Sequence, residues 1–321
     1  MRVLVTGAGG FIGSHLSERL LSLGHNVRAF VRYNSRSYRG FLAKSENIDF
    51  HFGDIRDYDG VRKSMQGVDM VFHLAALIGI PYSYESPLAY VKTNVEGTYN
   101  VLQAAKETGV SRVVHTSTSE VYGTAQYVPI NEDHPLQAQS PYAATKIAAD
   151  QLALSYYRSF GLPVVVVRPF NTYGPRQSAR AIIPTIISQA LRNEPPTVKI
   201  GDVKPIRDFN YVKDTVEGFI SLAFCDRAVG EVVNLGTGKE ISIDSLVDLI
   251  GKVLEVKINV VEDGDRFRPQ SSEVYRLVCD NSKVLGLTTW RPIYALEEGL
   301  KETIGYIRDH LDLFKTSLYM I

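Results

Sequence analysis

The sequence predicts an α/β fold, a Rossmann-type doubly wound parallel sheet with a second, smaller α/β substrate domain. Two observations carry this. In the first half, runs that are apolar nearly throughout alternate with amphipathic stretches, the pattern of strands covered by helices on both faces. After Pro169 the alternation stops, and Pro175, Pro184, Pro195, Pro196 and Pro205 break the chain into shorter segments. The boundary is therefore expected near residue 170. Residues 1–170 form the first domain and 171–321 most of the second, with segments free to interleave.

Taken in order, Val3-Leu4-Val5 is the first strand and leads into Thr6–Gly13. Leu16, Leu20 and Leu21 then recur at helical spacing until Gly24 stops them. Further strands are expected at Val27–Val31, Ile48–Phe52, Met70–Leu74, Val113–Val114 and Val164–Val167. Helices are expected between them at about 57–66, 86–108 and 142–160.

Composition narrows the function. The 321 residues are 45% hydrophobic and 22% charged, ordinary for a globular chain with a sizeable core. Thirty-five basic residues balance 35 acidic ones, so the basic surplus of a nucleic-acid binder is missing. No apolar run approaches the ~18 residues of a membrane-spanning helix. Met1-Arg2 runs at once into a short strand, which does not read as a signal peptide. Cys225 and Cys279 stand too far apart for a zinc knuckle or redox pair. The expectation is a cytoplasmic protein with no metal, no membrane partner and no nucleic acid.

Gly7, Gly10 and Gly13 stand at G-x-x-G-x-x-G spacing between a strand and a helix, with Phe11 and Ile12 opening the helix. Such a loop lets the backbone approach a pyrophosphate at the positive helix N-terminus. A glycine turn without a ligand is the bland alternative, and the context weighs against it. Asp54 and Ile55 follow the third strand, where an acid can reach an adenine. Leu74, Ala75 and Ala76 follow the fourth, where small residues let a dinucleotide pass. His73 reads as a packed histidine.

Tyr142 and Lys146 lie four residues apart, one turn along a helix face. A phenol titrates near pH ~10, so it serves as a base only when its anion is stabilised. Lys146 and a nicotinamide cation would both lower its pKa. Upstream, Ser117-Thr118-Ser119-Glu120 closes the fifth strand and supplies the hydroxyl that completes such a site.

On these motifs, and on Arg168–Pro175, the chain resembles the nucleotide-sugar epimerase/dehydratase branch of the extended short-chain dehydrogenase/reductase superfamily. The resemblance covers nearly the whole chain. It implies an N-terminal domain for NAD or NADP, tightly bound and regenerated each turnover, and a C-terminal domain for a nucleoside-diphosphate sugar. By the same resemblance Tyr142 and Lys146 also contact the cofactor, as does Pro169, and Thr118, Glu120 and Asn171 contact substrate. Arg180 belongs to the stretch that carries the resemblance and is expected at the substrate, and Arg207 and Arg268 are candidates for its phosphates. A surface ion pair is the bland alternative for either of the last two, weighed below the phosphate role. Asn234 reads as structural.

Within the branch, all members oxidise the sugar at C4. A 4,6-dehydratase must also remove the C5 proton and expel the C6 hydroxyl, which requires a further base. Dehydratases carry a carboxylate where Glu120 stands, two residues after the threonine, and epimerases usually carry small or neutral residues. In an extended chain Thr118 and Glu120 would face one side. Ser119 departs from the aspartate of deoxythymidine-diphosphate-glucose dehydratases and looks like GDP-mannose 4,6-dehydratases. Glu120 is then expected to return its proton to the departing C6 oxygen. Ser117–Arg180 looks most like dehydratases of legionaminic-acid-type pathways, implying an N-acetylhexosamine nucleotide, GDP-linked first and UDP-linked next. A C4 epimerase or ketoreductase would share every cofactor feature, and a non-catalytic dinucleotide sensor would be expected to lose Tyr142 or Lys146.

Cofactor choice turns on the end of the second strand. Val31 stands where NAD-preferring relatives have Asp, and Arg32, Asn34, Ser35 and Arg36 follow, which tilts the electrostatics narrowly toward NADP. The helices at about 86–108 and 142–160 are expected to pair across a two-fold axis in a homodimer, through a stripe that includes Ile147, Leu152, Leu154, Tyr156 and Tyr157. The apolar tail Leu311–Ile321 is expected to pack on its own subunit or the neighbour.

Overall fold

A computed structural model describes residues 1–34, 39–42, 47–267 and 269–314. Ser35, Arg36, Arg268 and the tail beyond Phe314 lie outside the described residues. The N-terminal half alternates strand and helix as its hydrophobic pattern requires. Strand β1 (Arg2–Thr6) leads through the glycine loop to helix α1 (Phe11–Ser22). There follow β2 (Asn26–Arg32), β3 (Asp49–Gly53), α2 (Tyr58–Ser64) and β4 (Met70–His73). Two short helices, α3 (Ile80–Glu85) and α4 (Pro87–Tyr90), precede a π-helical turn at Val91–Glu96, which runs into α5 (Gly97–Thr108). Then come β5 (Arg112–Thr116), α6 (Pro141–Phe160) and β6 (Val164–Pro169).

Among the described residues the main sheet has seven strands, all parallel, in the order β3-β2-β1-β4-β5-β6 and then a strand from later in the chain. The central strands are apolar on both faces because each face has its own core. Val3, Val5, Val114, Val165 and Val167 enter one cluster, while their neighbours Leu4, Val113, Val164 and Val166 enter the other.

The expected helix at 86–108 is interrupted. The reason lies at Asn94 in the π turn, whose side chain bonds the Leu77 backbone twice, accepting from its N–H at 2.8 Å and donating to its carbonyl at 2.9 Å. A π turn of this kind re-aims one side chain without ending the helix. Helix α6 is clean by comparison. Ser140 Oγ caps it by accepting from Ala143 N at 3.1 Å, Pro141 occupies its first turn, and Gly161 ends it in the left-handed region.

The later segments are β7 (Asn171–Tyr173), α7 (Ile182–Arg192), β8 (Thr197–Ile200), β9 (Ile206–Arg207), β10 (Phe209–Tyr211), α8 (Val212–Ala223) and β11 (Val232–Leu235). Strand β11 is the seventh strand of the main sheet and pairs with β6. It is only four residues long and carries Asn234 in its middle, so apolar patterning did not reveal it. Around the sheet edge β7 pairs with β10, and β9 pairs with Ile241–Ser242 and Arg276–Leu277. Buried Asp208, between β9 and β10, knots three of these segments by accepting from the backbone N–H of Thr237, Gly238 and Cys279 at 3.0, 2.8 and 3.2 Å.

Two expectations about apolar surface change. Leu154 is only 6% exposed and Tyr156 is also buried, both in the core under the sheet, so they cannot form a contact stripe. Leu88 and Val91, 63% and 46% exposed, and the half-exposed Tyr99 are the large apolar side chains at the surface of α4, the π turn and α5. At the C-terminus Phe314 is buried in the subunit's own core. The start of the tail therefore packs at home. Among the described residues no helix is long and apolar enough to cross a membrane.

Candidate active site

The strand order reverses direction between β1 and β4, and the crevice at their carboxyl ends is where open α/β sheets bind ligands. The backbone there is organised by Thr6. Its Oγ1 accepts from Leu74 N and Ala75 N, both at 3.2 Å, and lies 2.8 Å from His73 Nδ1. Nε2 of His73 meets Thr98 Oγ1 at 3.1 Å. His73 is therefore a packed histidine that aligns the crevice floor.

The glycine loop crosses this crevice. Gly7 is in the left-handed region at φ +71°, and a Cβ there would lie 2.9 Å from Ala75 N. At Gly13 a Cβ would come within 2.3 Å of Gly7 O, so the loop closes against the first turn of α1. Gly10 caps that helix without a side-chain bond, and no carboxylate stands in its first turn. The positive N-terminal end of α1 lies at the crevice with no side-chain cap among the described residues, and Leu74, Ala75 and Ala76 across from it are half-buried. The site fits a dinucleotide pyrophosphate. Phe11 and Ile12 are half-buried at the helix start.

Other residues expected at the cofactor are spread along the same edge. Asp54 is half-buried and paired with Arg56 at 2.5 Å, which holds its carboxyl below the usual range. The Ile55 side chain is core, and its carbonyl accepts from Asn100 Nδ2 at 2.9 Å. Arg32 is exposed at the end of β2, beside half-buried Asn34. Pro169 closes β6 and is half-buried.

Tyr142 and Lys146 occupy successive turns of the same face of α6, and both are buried. Lys146 Nζ donates to Thr116 O at 2.6 Å, which ties the helix to the end of β5. Burial lowers the Lys146 ammonium to about 8. Among the protein's own groups the balance at the Tyr142 phenol is upward. Burial pushes it above its ordinary value, a hydrogen bond with Thr118 pulls it back in part, and the Glu120 and Asp150 charges push it further up. The low dielectric around a buried phenol outweighs the help of its neighbours.

The strand after Thr116 does not continue extended, as expected for Thr118 and Glu120. Thr118 caps a short 3₁₀ turn, Ser119–Tyr122, with Oγ1 accepting from Glu120 N at 3.2 Å. The turn still brings both groups to Tyr142, Thr118 by hydrogen bond and Glu120 by charge. Ser119 is buried, whereas Thr118 and Glu120 are half-buried.

On the substrate side, Asn171 is half-buried and its Nδ2 has no partner among the described residues, an unspent donor. Arg180 is exposed and reaches back over Gly79, close enough to Tyr90 to act on its hydroxyl. Arg207 is buried, 3.4 Å from Glu273. Asn234 is structural, accepting from Tyr122 Oη at 2.7 Å and donating to Ile130 O at 3.0 Å.

The structure adds residues that sequence reasoning missed. Tyr90 packs edge-on against Tyr142, with ring centroids 6.3 Å apart, and bonds Gly79 O. Asn94 donates to Thr145 Oγ1 at 3.1 Å from beneath α6. The signals were there: an asparagine inside an otherwise helical run, and a tyrosine between two short turns.

The comparisons agree with this geometry. Residues 4–303 match the family described as GDP-mannose 4,6 dehydratase. The chain belongs to that family. It lies in the nucleotide-sugar epimerase/dehydratase branch of the extended short-chain dehydrogenase/reductases, a branch of NAD-dependent enzymes. A UDP-glucuronate 4-epimerase of Thermodesulfobacterium geofontis is 34% identical over 98% of both chains. A UDP-N-acetyl-alpha-D-glucosaminuronate decarboxylase of Bacillus cytotoxicus is 34% identical over 96% of this chain and 98% of its own. The dTDP-glucose 4,6-dehydratase DesIV of Streptomyces venezuelae, a double mutant solved with NAD bound, superposes with a TM-score of 0.86 at 30% identity, covering 96% of this chain and 97% of that one.

The loop geometry makes one site testable by itself. Gly13→Ala should lose dinucleotide binding by at least tenfold, because its Cβ would collide with the Gly7 carbonyl. Calorimetric titration with NAD and NADP measures this, and unchanged affinity would remove the loop from the binding site.

Proposed function

We propose that the protein is a nucleotide-sugar 4,6-dehydratase, a hydro-lyase, acting on a nucleoside-diphosphate N-acetylhexosamine. The observation that carries the reading is the half-buried carboxylate of Glu120, presented by the 3₁₀ turn beside Tyr142 and Thr118. The dinucleotide, when bound, supplies a reversible hydride acceptor, so the overall reaction consumes no oxidant. Residues up to about 170 hold it, and most of the later chain holds the nucleotide sugar, with β11 returned to the first unit.

Tyr142 takes the proton of the C4 hydroxyl, positioned by Thr118. Lys146, held by Thr116 O, places a positive charge one turn away and favours the tyrosinate. The C4 ketone acidifies C5, and Glu120 removes that proton. The same carboxyl then returns it to the C6 oxygen, which leaves as water. With the dinucleotide bound, C6 would take back the hydride lost from C4, and C5 the proton equivalent that Tyr142 removed, giving the 4-keto-6-deoxy sugar. Ser119, a catalytic candidate, is buried in the turn. Its hydroxyl is too weak an acid to replace the aspartate of the deoxythymidine-diphosphate-glucose dehydratases, so the proton for the leaving group is assigned to Glu120.

The resemblance of Ser117–Arg180 to legionaminic-type dehydratases supports an N-acetylated sugar, with GDP-N-acetylglucosamine first and the UDP-linked sugar next. Asn171 and Arg180 are assigned to substrate, and buried Arg207 to its phosphates. Relatives named epimerases and decarboxylases share the same Tyr/Lys machinery, so a 4-epimerase is the second reading. Glu120 favours elimination over it. Mass spectrometry separates the two, since a dehydratase product has lost one water and an epimerase product keeps its mass. Glu120→Gln should retain binding and C4 oxidation while losing elimination by at least 100-fold, roughly the contribution of one general base. Reduced cofactor would then accumulate on the enzyme. Wild-type dehydration by this variant would end the assignment.

For the cofactor we infer that NADP is accepted and narrowly preferred. Arg32 ends β2 exposed, where an aspartate would repel a 2′-phosphate, and Val31 before it is buried. Against it stands NAD in the solved relatives. Arg32→Ala should weaken NADP binding several-fold and leave NAD unchanged. Equal effects on both, or only NAD in denatured enzyme, would reverse the preference.

The dimer is proposed through α4, the π turn and α5 with α6, on the exposed Leu88, Val91 and Tyr99. Light scattering should give twice the 35.7 kDa chain mass, and Val91→Asp should shift it toward one. A single-chain mass for the native protein would remove the interface.

A further inference from the structure

Below Lys146 the structure buries a second layer of charge that the reaction outlined above does not use. Asp150 follows Lys146 by one helical turn and has 0% exposure. Its Oδ2 accepts from Ser117 Oγ at 2.8 Å and from Arg168 Nε at 3.1 Å, while His115 Nε2 lies 3.3 Å from Oδ1. Arg168 in turn donates to Tyr122 Oη at 2.9 Å, and that hydroxyl to Asn234. The layer therefore spans β5, β6, the 3₁₀ turn, α6 and β11. It is centred on one carboxylate.

We propose that Asp150 is a positioning residue, the buried counter-ion that keeps Lys146 an ammonium while Tyr142 acts as base. The inference rests on Tyr142 and Lys146 carrying out C4 oxidation. Two buried cations, Lys146 and Arg168, share this one anion, and a guanidinium does not give up its proton. If the anion is removed, the cation that yields is Lys146. Its ammonium already sits at about 8 because of burial, and Asp150 is the charge that opposes the fall.

The other groups facing the layer do not compete. His115 on β5 and His73 on β4, whose rings stand 5.6 Å apart, are both depressed by burial and stay neutral. Tyr122 in the 3₁₀ turn is pushed up to about 12. Tyr142 is also raised by burial. Between about pH 6 and 9 Lys146 is then the group of this layer whose charge changes.

The sign follows. Asp150→Asn lowers the Lys146 pKa, so the neutral amine appears at lower pH and the alkaline limb of cofactor reduction moves down. Asp150→Glu keeps the charge and restores the limb. Arg168→Gln removes the competing cation and moves it the opposite way. Lys146 ionisation is read directly by NMR titration of ε-¹³C-lysine protein, with the resonance assigned by Lys146→Arg. In parallel, single-turnover reduction of bound dinucleotide by GDP-N-acetylglucosamine is followed against pH, and thermal melting reports damage to the fold alone.

Asp150→Asn should lower the Lys146 midpoint by about one pH unit or more, a tenfold change in its protonation equilibrium. Arg168→Gln should raise it, and Asp150→Glu should leave it near wild type. An unmoved midpoint in a folded Asp150→Asn protein overturns the inference. Should that variant not fold, Arg168→Gln decides, and an unchanged or lowered midpoint overturns it. A moved midpoint with an unmoved reduction limb keeps the counter-ion but overturns the role assigned to Lys146 in the reaction.

Discussion

Everything at the site depends on one constraint, the docking of α6 against the carboxyl end of β5. Lys146 donates to the last carbonyl of β5, and Asp150 receives Ser117 just beyond that strand. Both bonds join a helix that is itself fixed at its start by the Ser140 cap. The pair Tyr142 and Lys146 is therefore held by rigid elements and not by loops. Burying a lysine is costly unless its charge is answered, and the fold answers it from the same helix one turn below.

The second consequence concerns where freedom remains. The dinucleotide crevice is walled by backbone, with Thr6 organising Leu74 and Ala75 and the glycines closing the loop on itself. The substrate side is built from pieces of lower regularity: a 3₁₀ turn, two very short helices and strands of two or three residues. Binding the shared cofactor needs invariant geometry, whereas choosing a sugar needs surfaces that can change without disturbing the sheet. Relatives of about one-third identity that are named for epimerisation, decarboxylation and dehydration fit that division.

The same division explains what the sequence made legible. Strands β1, β4, β5 and β6 announced themselves because both faces are buried and the runs are largely apolar, whereas the edge strand β3, Asp49–Gly53, was read from the alternating Ile48, Phe50 and Phe52 alone. The Tyr142/Lys146 spacing was legible because helical periodicity alone brings the two together. Strand β11 was not, since a four-residue strand with a central asparagine leaves no period to read. Nor was the π turn, where Asn94 diverts the helix through bonds to Leu77 that are 17 residues away in sequence. Leu154 misled for a related reason: helix α6 is apolar on more than one side, and composition does not say which side meets the sheet. Side-chain ionisation was the least legible, because the phenol of Tyr142 responds to burial that spacing cannot register.

The 3₁₀ turn after β5 is the step on which the reaction type hangs. Had the chain continued extended, Glu120 would share a face with Thr118 but stand two residues' rise, about 6.6 Å, further along the strand. The turn instead buries Ser119 and spends Thr118 Oγ1 on the Glu120 N–H, with the Glu120 carboxylate within electrostatic reach of the phenol. Its charge is then felt by Tyr142 as a penalty on ionisation. A carboxylate beside a tyrosine base works against C4 oxidation, so a site devoted to oxidation alone gains nothing from it. The arrangement makes chemical sense where a second proton, on the neighbouring carbon, must also be removed. In the proposed dehydration, the cost to the first step comes with the carboxylate that the second step needs.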